Sequence, residues 1–166
     1  MARAYKKTYL NGAMRNLGAM MDCGVRKYGY PIEEFYQKFL SCDVSRQFAS
    51  GNPRYLVGLS GAELADLVIE ASGGIVLSDN DGTFSPSPEY WAGWVLAYYQ
   101  WLKPRSFSYM YRRGLGIQEV IALYCPLHEA DLSKFADAAD AIIGRSLCTH
   151  IPHSPTTSSS ASSPAH

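Results

Sequence analysis

Cys125 and His128 stand either side of Pro126, a thiol and an imidazole of the kind a cysteine hydrolase uses as nucleophile and base. No oxyanion donor set is recognisable beside them, and catalytic pairs are assembled in space rather than by adjacency in the chain. The plainer reading is a buried cysteine and a histidine at a helix start. Cys148, His150 and His153 offer soft and imidazole ligands at a spacing zinc tolerates, but a fourth ligand is missing. The stretch SDNDGT suggests calcium. With Gly82 as the sixth residue of a calcium loop, Leu77 would be the first and Pro88 the twelfth, so the required acids are absent and a polar turn is the better reading. No phosphate-binding G-x-x-x-x-G-K-[ST], dinucleotide-binding G-x-G-x-x-G or nucleophile-elbow G-x-S-x-G occurs. The residues nominate no catalytic side chain, no metal centre and no cofactor.

A different chemistry is carried by Lys103, Arg105, Arg112 and Arg113, which are interleaved with Phe107, Tyr109 and Tyr111. Arginines alternating with aromatic rings can hold a phosphate backbone and stack on bases. The alternative is a solvated helix end, with Arg112 and Arg113 answering the negative end of the helix dipole. Tyr99 joins this set as an outward-facing contact residue, because helical periodicity places it off the apolar stripe of the segment before the cluster.

That segment, PEYWAGWVLAYYQWLKP at 88–104, must position the cluster. Ser87 is its N-cap, Pro88 suits the first turn and Pro104 stops it. At 100° per residue, Trp91, Trp94, Tyr98 and Trp101 fall within an arc of about 80°, with Gln100 and Lys103 opposite. So broad an apolar face marks a central helix. Before it, apolar residues at threes and fours predict a helix over residues 4–28 ended by Gly29, a second from Pro31 to Cys42, and a short third from Val44 to Ala49. Ser60 and Glu63 form a capping box that opens a helix stopped at Gly73. Ile75 to Leu77 have strand preference before a tight turn, which predicts a small β-hairpin near 75–85 or an exposed loop. After the cluster, helices are expected at 117–124 and 128–145. The fold class is therefore mainly α: one compact domain of six or seven helices over residues 1–146, followed at 147–166 by a Ser/Thr/Pro-rich tail expected to be disordered.

With 166 residues the chain can bury a real core. Fifteen basic and fifteen acidic side chains cancel, which argues against a general nucleic-acid binder while leaving room for a local patch. Zero net charge and many aromatics are also compatible with self-association as a homodimer. No apolar run approaches membrane-spanning length and the N-terminus lacks a signal-peptide pattern, so a cytoplasmic location is expected. In that compartment Cys23, Cys42 and Cys125 read as small buried hydrophobes.

The blocks GNPRY at 51–55, SGAEL at 60–64, SPEYWAGW at 87–94 and LHEAD at 127–131 together resemble a family of small accessory proteins of gut bacteria and their mobile elements. The resemblance covers about Tyr5 to Arg145. It implies a non-enzymatic binding role in a bacterial host: an anti-CRISPR inhibitor of a type II RNA-guided nuclease with its guide RNA, an antitoxin-like partner of a co-encoded toxin, or a small nucleic-acid-binding protein. It carries no active site across. The expected contact residues remain those read above: Tyr99, Lys103, Arg105, Tyr109, Tyr111, Arg112 and Arg113.

Overall fold

A computed structural model describes residues 2–78 and 87–148. Among them the chain forms nine α-helices and no β-strand: α1 (Leu10–Arg26), α2 (Ile32–Ser41), α3 (Asp43–Ala49), α4 (Gly61–Ala71), α5 (Pro88–Leu102), α6 (Phe107–Arg112), α7 (Ile117–Ala122), α8 (Tyr124–Leu127) and α9 (Leu132–Cys148). The fold is all-α, as the periodicity predicts. A 3₁₀ turn at Lys7–Tyr9 precedes α1, and a single π-helical turn at Arg54–Gly58 separates α3 from α4.

α1 and α5 form the central pair and run antiparallel. Residues 4 and 5 hydrogen-bond to Trp101 at the end of α5, while Asp22 and Arg26 reach Ser87 and Glu89 at its start. Their axes approach closely because the crossing is made of glycine. A Cβ at position 93 would stand 2.5 Å from the Leu17 carbonyl oxygen and 2.8 Å from Gly18 Cα. A Cβ at position 18 would stand 2.7 Å from the Tyr90 carbonyl oxygen. Leu17, Met20, Met21, Ala92, Leu96 and Ala97 fill the space beside this contact and are fully buried. Each large apolar side chain so buried stabilises the fold by about 1.5–3 kcal/mol relative to exposure.

Caps set the helix starts. Ser60 Oγ accepts from the Glu63 amide at 3.2 Å and the Ser60 amide donates to the Glu63 carboxylate at 2.7 Å, which completes the expected capping box. Ser87 Oγ accepts from the Tyr90 amide at 3.0 Å, and Pro88 occupies the first turn. Gly29 leaves α1 with φ +70°, as a C-cap glycine does.

Several expectations are corrected. The first helix begins at Leu10 rather than at residue 4, and the last runs from Leu132 to Cys148 rather than over 128–145. The expected 117–124 helix is divided into α7 and α8. Pro126 lies inside α8, in a first turn where its missing N–H removes no helical bond. Of the expected hairpin, Ile75 to Leu77 carry no strand, and Ile75 is 83% exposed. No other described segment offers them a ladder, and among the described residues only the Leu77 amide finds a partner, the Tyr28 hydroxyl at 3.4 Å. The rest of the hairpin, and the tail from residue 149, lie outside the described residues.

Candidate anion-binding surface at the end of α5

α5 is buried nearly all round, and its residues take roles that periodicity does not predict. Tyr99 is 2% exposed, not outward-facing. α9 covers it: its ring meets Phe135 edge-on at 6.3 Å and its hydroxyl donates to Asp140 Oδ1 at 2.6 Å. Burial, followed by the Asp140 bond, pushes the Tyr99 phenol well above its ordinary range, and the nearby Arg105 charge works in the opposite direction. Gln100, expected opposite the core, is 1% exposed and donates to the Ala49 carbonyl at 3.0 Å. Trp94 and Tyr98, inside the stripe expected to be core, are only half-buried.

α6 is nailed to the core by Phe107 and Met110. Phe107 packs 5.2 Å from Phe39 and 5.9 Å from Phe48, so α2 and α3 fix its position. Ser106 caps it, accepting from the Tyr109 amide at 3.1 Å, and Gly114 with φ +86° ends it. What remains outside is the Arg/Tyr set, which the structure divides. Lys103 turns to Asp140 Oδ2 at 3.2 Å. Tyr111 turns to α2, donating to Glu33 Oε1 at 3.2 Å with its ring 6.2 Å from that of Tyr36. Arg112 is exposed.

Arg105, just before the Ser106 cap, and Arg113, at the C-cap of α6, stay together with Tyr109. The Arg105 guanidinium lies 4.8 Å from the Tyr109 ring centroid and donates to its hydroxyl, and the Arg113 guanidinium lies 5.3 Å from the same centroid. Each contact of this kind stabilises by about 0.5–1 kcal/mol at an exposed site. Neither arginine is paired with a carboxylate among the described residues. Arg3, absent from the expected contact set, arrives from the far end of the chain. It donates to the Leu102 carbonyl at 3.0 Å and sits 4.9 Å over the Trp101 ring, held there because the Ala4 amide donates to the Trp101 carbonyl and Trp101 Nε1 donates to the Tyr5 carbonyl. Its only sequence signal is a basic start beside aromatic residues, which fixes no position. Arg105 and Arg113 together make a local excess of guanidinium charge on a protein of zero net charge.

Other candidates are neutralised or dispersed. At the opposite end of α5, Asp22 accepts from the Ser87 hydroxyl and from Arg26 Nε at 2.8 Å, and Arg26 Nη2 reaches Glu89 at 3.1 Å. Beside it, Lys27 and the Tyr28 hydroxyl both engage Asp66. A shallow cleft of about 420 Å³ between α2, α3 and the end of α4 is lined by Glu34, Lys38, Cys42 and Asp43 among others, but Glu34 lies 3.9 Å from Lys38 and Asp43 is paired with Arg46. Cys125 is exposed rather than buried, because α8 lies on the surface. The His128 ring stacks on Tyr124 at 4.6 Å, with Nδ1 2.9 Å from the Tyr124 carbonyl. Cys23 is half-buried, and burial pushes its thiol up to about 11, while Cys42 is buried as expected. No group of three or more His, Cys, Asp or Glu side chains converges to hold a metal ion among the described residues, and no described helix is long and apolar enough to cross a membrane. Cys148 ends α9, whereas His150, His153 and residues 79–83 of SDNDGT lie outside the described residues.

No protein-family model, curated protein or solved structure matches this chain.

Proposed function

We propose that the protein acts by binding, and that the rim formed by Arg105, Tyr109 and Arg113 is its contact surface for an anionic macromolecular partner. One observation carries this reading: two guanidiniums are held against one ring on a helix anchored in the core, with no carboxylate among the described residues to neutralise them. Unpaired, oriented arginine charge steers an anionic partner and fixes its register on docking.

The resemblance carried by the GNPRY, SGAEL, SPEYWAGW and LHEAD blocks gives that partner a concrete form, a bacterial effector such as a type II RNA-guided nuclease loaded with guide RNA. Such an assembly offers an anionic backbone in a defined shape, and covering it would keep target DNA out. The test is DNA cleavage by the guide-loaded nuclease in the presence of the purified protein, together with co-purification of the two. Inhibition at stoichiometric amounts with co-elution is expected. Full cleavage at large excess, with no co-elution, would overturn the nuclease assignment. Rescue of growth from a co-encoded toxin would then favour the antitoxin role.

A further inference from the structure

We infer that the Arg105–Tyr109–Arg113 bracket takes the sugar–phosphate backbone of a single-stranded nucleic acid. The inference deepens the binding role proposed above by naming the chemistry of the partner at that surface.

The two bracket guanidiniums each lie about 5 Å from the Tyr109 centroid, so they are no more than about 10 Å apart, a span that neighbouring phosphates of one strand can bridge. Each is a planar fork able to bind two phosphate oxygens. Tyr109 holds both in place before any ligand arrives, so less side-chain freedom is lost on binding. The acid that faces this rim is Asp140 of α9, and the Tyr99 hydroxyl and Lys103 already engage it.

A protein partner with an acidic face would want something more. Protein interfaces centre on a desolvated apolar or aromatic anchor. On α6 the large apolar side chains Phe107 and Met110 are buried, no aliphatic side chain is exposed, and the exposed ring, Tyr111, is turned to Glu33. A charge-rich, anchor-poor rim suits a repeating anion. Its shortness suits a flexible strand rather than a duplex groove, since α6 has only six residues.

The experiment is fluorescence anisotropy of the full chain with a labelled single-stranded oligouridylate, titrated at several salt concentrations. Each phosphate contact contributes about −0.7 to the slope of log K against log salt for a single strand. Arg105→Ala and Arg113→Ala should each make the slope shallower by about 0.7. Asp140→Asn, which releases Lys103, should tighten binding and steepen the slope, a gain that misfolding cannot imitate. Arg26→Ala, at the neutralised end of α5, should leave the slope unchanged. No binding at low salt, a slope indifferent to these arginines, or capture of polyglutamate in preference to the oligonucleotide would overturn the inference. If the oligonucleotide fails to bind but the effector is still inhibited, the phosphate assignment falls and the binding role stands. If the oligonucleotide binds without any inhibition of the effector, the phosphate assignment stands and the nuclease assignment falls.

Discussion

The two ends of α5 are both rich in charge and are built on opposite principles. At its start, Ser87 and Arg26 converge on Asp22, Arg26 also reaches Glu89, and Lys27 and Tyr28 close on Asp66. Every one of these cations has an acid. At its end, Lys103 has Asp140, but Arg3 is answered by a carbonyl and a tryptophan, and Arg105 and Arg113 share a tyrosine. The first arrangement satisfies buried polar atoms and ties α1 to α5. The second holds charge ready at the surface without cancelling it. Charge content therefore does not distinguish a clamp from a contact surface, whereas the identity of each partner does.

The comparison can be broken first at its midpoint. Gly93→Val would drive a side chain into the backbone of Leu17 and Gly18, which cannot give way as a flexible side chain would. We expect a loss of about 3 kcal/mol or more, seen as a fall in melting temperature of about 6–12 °C, with both ends of α5 compromised together. Next, Asp22→Ala removes the carboxylate that Ser87 and Arg26 share, and its side chain is only 9% exposed. About 2 kcal/mol of stability should be lost in denaturant unfolding, with partner binding by the folded protein unchanged. Tyr99→Phe, at the other end, deletes one bond to Asp140 and should cost about 1 kcal/mol near neutral pH.

That variant also sharpens the pH behaviour. The Tyr5, Tyr36 and Tyr99 phenols are all raised, with burial the leading cause. A raised folded pKa gives stability that is complete below the unfolded value of about 10 and is lost as pH climbs beyond it. Chemical denaturation from pH 8 to 11 should show stability falling above about pH 10, less steeply in Tyr99→Phe. The smallest structural effect belongs to Arg113→Ala alone. The melting temperature should fall by only about 1–4 °C, corresponding to about 0.5–1 kcal/mol for the one exposed contact it loses.

Much of the scaffold is legible in the chain because its signals are local. The Ser60/Glu63 box, the Ser87–Pro88 start and the C-cap at Gly29 depend on residues a few positions apart, and each appears where its chemistry requires. The misreadings share a cause. Periodicity ranks the faces of α5 but does not reveal that α9 packs over Tyr99, nor that α3 ends within reach of Gln100. Ile75 to Leu77 have strand preference but no described partner strand, so the preference is unexpressed. Of the expected contact residues, Arg105, Tyr109 and Arg113 form one unit because Arg105, before the Ser106 cap, and Arg113, at the end of α6, both lie against the Tyr109 ring. Lys103, Tyr99 and Tyr111 are drawn off by Asp140 and Glu33, acids distant in the chain, and Arg3 reaches Leu102 by an equally long-range route. A local pattern could name the patch, but only tertiary pairing decides which of its charges remain free.

The most direct test sets the two ends of α5 against each other in one assay: inhibition of guide-loaded nuclease cleavage by the parent protein, by Arg105→Ala/Arg113→Ala, and by Arg26→Ala. The parent and Arg26→Ala should inhibit alike, while the double variant, still folded, should need at least about ten times more protein, a change of about 1.4 kcal/mol in binding. Undiminished inhibition by the double variant, or none by the parent, would contradict the assignment of the α6 rim as the contact surface.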